Sequence, residues 1–246
     1  IILSENRPFS METAACDEEY EPSSEYDSSF ALQIFAAREA VFKILAKESL
    51  SIHEKLIVIL DMGSKIQQCI NTDEYDNIKS VVNDYLKEGI AHTLDETRNL
   101  SDSGQFEDIS LQQGIRQILY PYEEMEVLNP EWEVILKDII DSLFEQMSDE
   151  EYNILNEEFG TYMVSRVYEY RQLLEYLVFR YFAKSIYDYD FLGKCQMLVT
   201  NFFVIRQMDI IRWLDNHREY SFKDRMDVVH IFSRQVEYSE DNIENL

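Results

Sequence analysis

Residues 159–186 read FGTYMVSRVYEYRQLLEYLVFRYFAKSI. Phe159, Tyr162, Met163, Val167, Tyr170, Leu173, Leu174, Leu177, Val178, Tyr181, Phe182 and Ile186 recur at three- and four-residue intervals, the spacing of one face of an α-helix. A single long amphipathic helix is expected, about 43 Å from Phe159 to Tyr187 at roughly 1.5 Å per residue. After the polar break Tyr187, Asp188, Tyr189 and Asp190, the segment from Phe191 to Asp215 carries Leu192, Met197, Leu198, Phe202, Phe203, Ile205, Ile210, Ile211, Trp213 and Leu214. Apolar on most of its circumference, it belongs in the middle of a bundle.

Outward from that centre, capping signals mark further helices. Ser51 with Glu54 and Ser148 with Glu151 form capping boxes, and Ser221 with Asp224 caps a last helix. Asn129-Pro130 supplies a cap and an N1 proline before Trp132, Ile135, Leu136, Ile139, Ile140, Leu143 and Phe144. Thr72, followed by Asp73 and Glu74, is expected to open a third helix ending near Leu94. Ile115 to Leu119 makes at most a short helix, stopped by Pro121, and residues 98–110 form the best candidate for a mobile loop. With six glycines, four prolines and no alternating strand pattern, the fold class is all-α. The expected form is an irregular bundle of about seven or eight helices around two long central ones. Its expected core includes Leu174, Leu177, Val178, Phe182, Leu198, Phe202 and Ile205.

The domain organisation reads as an acidic linker at 1–29 and one helical domain at 30–246. Residues 10–29 hold Glu12, Asp17, Glu18, Glu19, Glu21, Glu25 and Asp27 and no basic residue. Ile1-Ile2-Leu3 reads as the tail of an amphipathic segment, so a piece of a longer protein is expected.

Across 246 residues the formal net charge is −26. That field repels phosphate backbones and anionic lipid, so neither nucleic acid nor a membrane surface is expected as a partner, whereas a basic protein gains weight. Cys16, Cys69 and Cys195 form neither a disulfide framework nor a paired metal site, and no secretory signal or apolar run of membrane-spanning length is present. A reducing cytoplasm fits. No metal site is expected: four dispersed histidines lack zinc-binding spacing, and scattered glycines build no phosphate-binding loop.

The candidate site is the charge gathered at the break between the two central helices. Arg180, Lys184, Tyr187, Asp188 and Asp190 would form either a buried network that fixes how the helices turn or the lining of a polar groove. Catalytic and cofactor-binding residues have no candidate from the residues alone, and a homo-oligomer is left open.

Residues 179–190 (FRYFAKSIYDYD), 227–230 (DVVH) and 233–242 (SRQVEYSEDN) resemble the C-terminal part of the flagellin lysine-N-methylase (FliB) family, and residues 2–8 (ILSENRP) resemble the stretch after that family's cysteine-rich region. The family often carries His where Tyr238 stands. The resemblance adds Arg234 and Glu237 to the candidate groove. It implies a protein that methylates flagellin lysines with S-adenosylmethionine and carries an iron–sulfur cluster on N-terminal cysteines. A cluster needs about four thiolates, so this chain is expected to hold no cofactor, to lack activity alone, and to serve as a platform for flagellin docking or assembly. The competing class is a non-catalytic, all-helical interaction or regulatory module.

Overall fold

The computed structural model describes residues 28–102 and 109–244. Residues 1–27 of the acidic linker and residues 103–108 of the expected loop therefore lie outside the described residues; residues 98–102 are helical, so the loop begins later than expected. In chain order the helices are α1 (Ser28–Leu45), α2 (Ile52–Asn71), α3 (Ile78–Asp84), α4 (Ile90–Asp102), α5 (Leu111–Glu123) and α6 (Pro130–Ile139). They continue with α7 (Asp149–Tyr162), α8 (Val167–Tyr181), α9 (Ser185–Asp188), α10 (Phe191–Asp215), α11 (Phe222–Val236) and α12 (Glu240–Glu244). Wide π turns at Tyr85–Gly89 and Ile140–Glu145 run α3 into α4 and extend α6. No strand occurs among the described residues, which makes the protein an all-α bundle, and no helix among them is long and apolar enough to cross a membrane.

The chain gathers into two compact units, one made of Ile1–Gln105 and Val167–Leu198, the other of Phe106–Arg166 and Val199–Leu246. In the first, α1 buries Phe30, Ile34, Ala37, Val41, Ile44 and Leu45 along one face, and α8 buries Leu173, Leu174, Leu177, Val178 and Tyr181. Gly63 in α2 lets the start of α10 approach: a β-carbon there would sit 2.6 Å from the Cys195 sulfur. Gln67, one turn on, caps α10 from a distance. Its Oε1 accepts from the Phe191 and Leu192 amides at 2.9 and 3.1 Å, and its Nε2 donates to the Tyr189 carbonyl at 3.0 Å. Tyr189 turns left-handed, with φ 56°, and stacks on Phe30.

In the second unit, Tyr122, Trp132 and Phe232 form an aromatic cluster with centroids 6.3 to 6.5 Å apart. Gln235 accepts from the Leu128 and Asn129 amides at 2.9 and 3.2 Å, and Asn242 accepts from the Glu126 amide at 3.1 Å. Both also donate to the Glu126 carbonyl, so the segment leading into α6 is tied to α11 and α12 by side chains rather than by regular structure.

All seven expected core residues are at most 2% exposed. Both Ser/Glu capping boxes, the Ser221 cap and the Asn129-Pro130 start form as expected. Three expectations need correction. The helix from Phe159 to Ile186 is broken: α7 ends at Tyr162, Val164–Arg166 is a 3-10 turn, and α8 starts at Val167. The apolar stripe is continuous in sequence, but its first part packs on Trp213 and Tyr220 in the second unit while its later part fills the core of the first. Thr72 is a C-cap and not an N-cap. Its hydroxyl donates to the Gln68 carbonyl at 3.0 Å, and Asp73 follows with φ 57°. Pro121 lies inside α5 because it stands near the C-terminus, where one lost amide donor leaves most of the helical ladder intact.

Two outcomes test this packing. Gly63→Ala should destabilise the fold by about 1–3 kcal/mol in urea unfolding, the usual cost of overpacking, with Cys195→Ala in the same chain recovering part of it. The second concerns acid. The Ser51 amide and hydroxyl donating to Glu54 hold its carboxyl below its ordinary 4.5. At Asp224, burial pushes upward, but bonds from Ser221 and Asn216 outweigh it and hold the carboxyl below 3.8. Folded-state values lowered in this way contribute stability that is fully present above the unfolded values and disappears as pH falls through the folded ones. The melting temperature should therefore drop below about pH 4.5, and Glu54→Gln should flatten that drop.

Candidate functional site

Two short stripes in the second unit carry the same pattern. On α6, Glu131, Val134, Ile135 and Asp138 stand at i, i+3, i+4 and i+7 and so share one face, opposite the buried Trp132, Leu136 and Ile139. On α11, Asp227, His230, Ile231 and Arg234 repeat that spacing. Together with Ile211, Arg212 and Asp215 at the end of α10, the two stripes line an open groove of about 620 Å³. Ile135, Ile211 and Ile231 are buried and make its floor, whereas Val134 on the rim is 62% exposed. Four carboxylates stand on the groove against two guanidinium groups and one imidazole. Within the described residues, none of these seven side chains makes a hydrogen bond or ion pair.

The walls are held by groups the groove does not use. Asp209 on α10 and Arg225 on α11 are both wholly buried and pair at 2.5 Å. The Tyr220 hydroxyl donates to Asp209, the Arg225 guanidinium lies 5.4 Å from the Tyr220 ring, and Arg166 donates to the Tyr220 carbonyl at 2.6 Å. Between the helices His217 and Arg218 both take left-handed backbone, with Arg218 paired to Glu158 at 2.9 Å. Since a buried pair is favourable only when well matched, this lock fixes the separation of the α10 and α11 walls.

Residues 38–246 match the FliB lysine N-methylase C-terminal domain. The chain belongs to the FliB lysine N-methylase family. No curated protein and no solved structure matches it. Within this FliB domain, the segments that carried the resemblance divide their work. Asp227, His230 and Arg234 face the groove, while Gln235 and Asn242 pin the entry to α6.

The residues singled out from sequence are placed differently. Arg180, Lys184, Tyr187, Asp188 and Asp190 lie together in the first unit and are exposed, so the expectation of a buried ionic network there is corrected. Asp190 caps α10, accepting from the Gly193 amide at 2.8 Å, and Lys194 meets Asp188 and Asp190 at 2.7 and 3.8 Å. Arg180 donates to the Tyr181 hydroxyl at 3.0 Å, and Lys184 sits 5.4 Å from the Tyr181 ring. Arg234 and Glu237 belong to the second unit. Arg234 lines the groove, and Glu237 closes the C-terminus of α11. Among the buried charges that were missed are Asp209 and Arg225, and in the first unit Lys55, whose ammonium is pushed down by burial, with Glu175 and Arg171 beside it.

The donor set among the described residues does not fit an iron–sulfur cluster. Cys69 and Cys195 are buried thiols whose ionisation burial pushes up, and among the described residues no three His, Cys, Asp or Glu side chains are grouped to hold a metal. What the groove can do is recognise: carboxylates to receive a cation, and an isoleucine floor to receive hydrocarbon.

One contrast checks these assignments. Asp209→Asn removes one side of a wholly buried pair and should cost about 3–5 kcal/mol of stability. Asp188→Ala removes an exposed partner and should cost about 0–1 kcal/mol. Equilibrium unfolding of both variants measures the difference.

Proposed function

We propose that this domain is the substrate-docking part of a flagellin lysine N-methylase acting in the cytoplasm, with the α6–α10–α11 groove receiving a lysine-bearing stretch of flagellin. The observation that carries the reading is that the groove's carboxylates, Glu131, Asp138, Asp215 and Asp227, are turned to an open surface with no protein partner among the described residues. The excess of acidic residues across the chain supports it, because a negative field draws in and orients a basic partner.

Chemistry favours docking over methyl transfer at this place. Transfer to an ε-amino group needs a neutral amine with a free lone pair, whereas carboxylates around a lysine favour its protonated form. The groove therefore suits lysines that hold the substrate rather than the one being methylated. S-adenosylmethionine would supply the methyl group in the full-length enzyme, and the iron–sulfur cluster would rest on cysteines other than those of this chain.

Titration of flagellin into the domain at low and high salt is the test. Asp138→Asn combined with Asp227→Asn should weaken binding at least about tenfold, near 1.4 kcal/mol, and reduce its salt dependence, while Asp188→Asn leaves it unchanged. Flagellin binding that ignores the double variant would end the reading. A domain that binds no flagellin at all would favour a non-catalytic interaction module.

A further inference from the structure

The two stripes do more than supply charge. Each presents a charged residue, then a pair at i+3 and i+4 that includes isoleucine, then a second charged residue at i+7. Such a face is what one helix offers to another when they pack side by side. In the groove, both stripes and the end of α10 offer it to the same open space. From the structure we infer that this space takes an amphipathic α-helix of the lysine-bearing partner, about two to three turns long, with aliphatic residues at i and i+3 or i+4 on the isoleucine floor and lysines one turn to either side. The inference rests on the docking reading above and adds the shape of what is docked.

Two observations support a helix over an extended lysine-rich segment. An ammonium recognised by charge alone has no use for Val134, which is 62% exposed on the rim and lies between the two α6 carboxylates. Arg212 and Arg234 stand among the acids, so the groove suits a face that mixes lysine with an acidic residue better than a run of lysines. Charge also disfavours residues 10–29 of this chain as the occupant, since they carry seven acids and no base.

The test uses the whole 246-residue chain and a labelled 14-residue peptide with this pattern, locked as a helix by an i,i+4 lactam, against the same peptide with two central prolines. Fluorescence anisotropy should show the helix binding at least tenfold more tightly than the proline form. Val134→Asp separates the alternatives by sign: it should weaken the helical peptide at least fivefold if apolar packing on the rim matters, and strengthen it if charge alone is read. Equal binding of the two peptides, or tightening by Val134→Asp, overturns the helical inference and leaves lysine docking standing, provided that flagellin binding still depends on Asp138 and Asp227. Loss of that dependence removes both. Concentration-dependent dimerisation of the chain that Val134→Asp abolishes would make a second copy the occupant and overturn the inference as well.

Discussion

A helix that is apolar on most of its circumference leaves little side for water. In α10, Phe191, Cys195, Met197, Leu198, Phe202, Val204, Ile205, Met208, Ile210, Ile211 and Trp213 are all buried, so most of the helix surface must be covered, and of its residues only Gln196 and Asp215 are exposed. Its first two turns belong to one unit and the remainder to the other, and each unit is built to surround its own portion. In the first, the cover includes Gly63, which admits the close approach, and Gln67, which satisfies the amides at the helix start. In the second, the cover is completed by a polar lock: Asp209 projects from the same apolar helix and is neutralised by Arg225. Burying that pair is worthwhile only if the helix cannot turn Asp209 towards solvent, and the burial of nearly every side chain from Asn201 to Ile211 opposes such a turn.

The groove follows from the same constraint. Once Asp209 is committed to Arg225, the last turn of α10 brings Arg212 and Asp215 to the groove beside Ile211 on its floor, and α6 and α11 flank it with their charged stripes. The groove lies within the stretch that matches the FliB lysine N-methylase C-terminal domain.

Much of the fold was readable from residue patterns because helix ends announce themselves locally: Ser51 with Glu54 and Ser148 with Glu151 mark helix starts by side-chain and backbone bonds that need no distant partner. The failures came where tertiary context decides. An uninterrupted apolar stripe from Phe159 to Ile186 cannot reveal that its two parts bury against different cores, and Thr72 offers the same hydroxyl to the helix before it as to one after it. The site was legible only in part. Arg180 and Asp188 drew notice by standing next to apolar sequence, yet a helix can hold such neighbours on opposite faces. Asp209 and Arg225 gave no local sign of being partners. The spacing of Glu131, Val134, Ile135 and Asp138 was present to be read, but alone it looks like an ordinary half-solvated face. Only its meeting with the matching stripe on α11 gives it meaning.

Each unit is assembled from two separated lengths of chain, and this sets an order of events during synthesis. The apolar faces of α1 and α2 leave the ribosome well before α8 and the start of α10, which complete their core. The intervening Phe106–Arg166 segment takes about 3–12 s to make at roughly 5–20 residues per second. For that interval the nascent chain carries Ile34, Val41, Val58, Ile59 and Met62, all buried in the finished unit, with α8 and the start of α10 still unmade. Chaperone demand should therefore peak midway through translation, and a slow codon or a pause placed inside that segment would lengthen the exposure, whereas one placed after Leu198 would not.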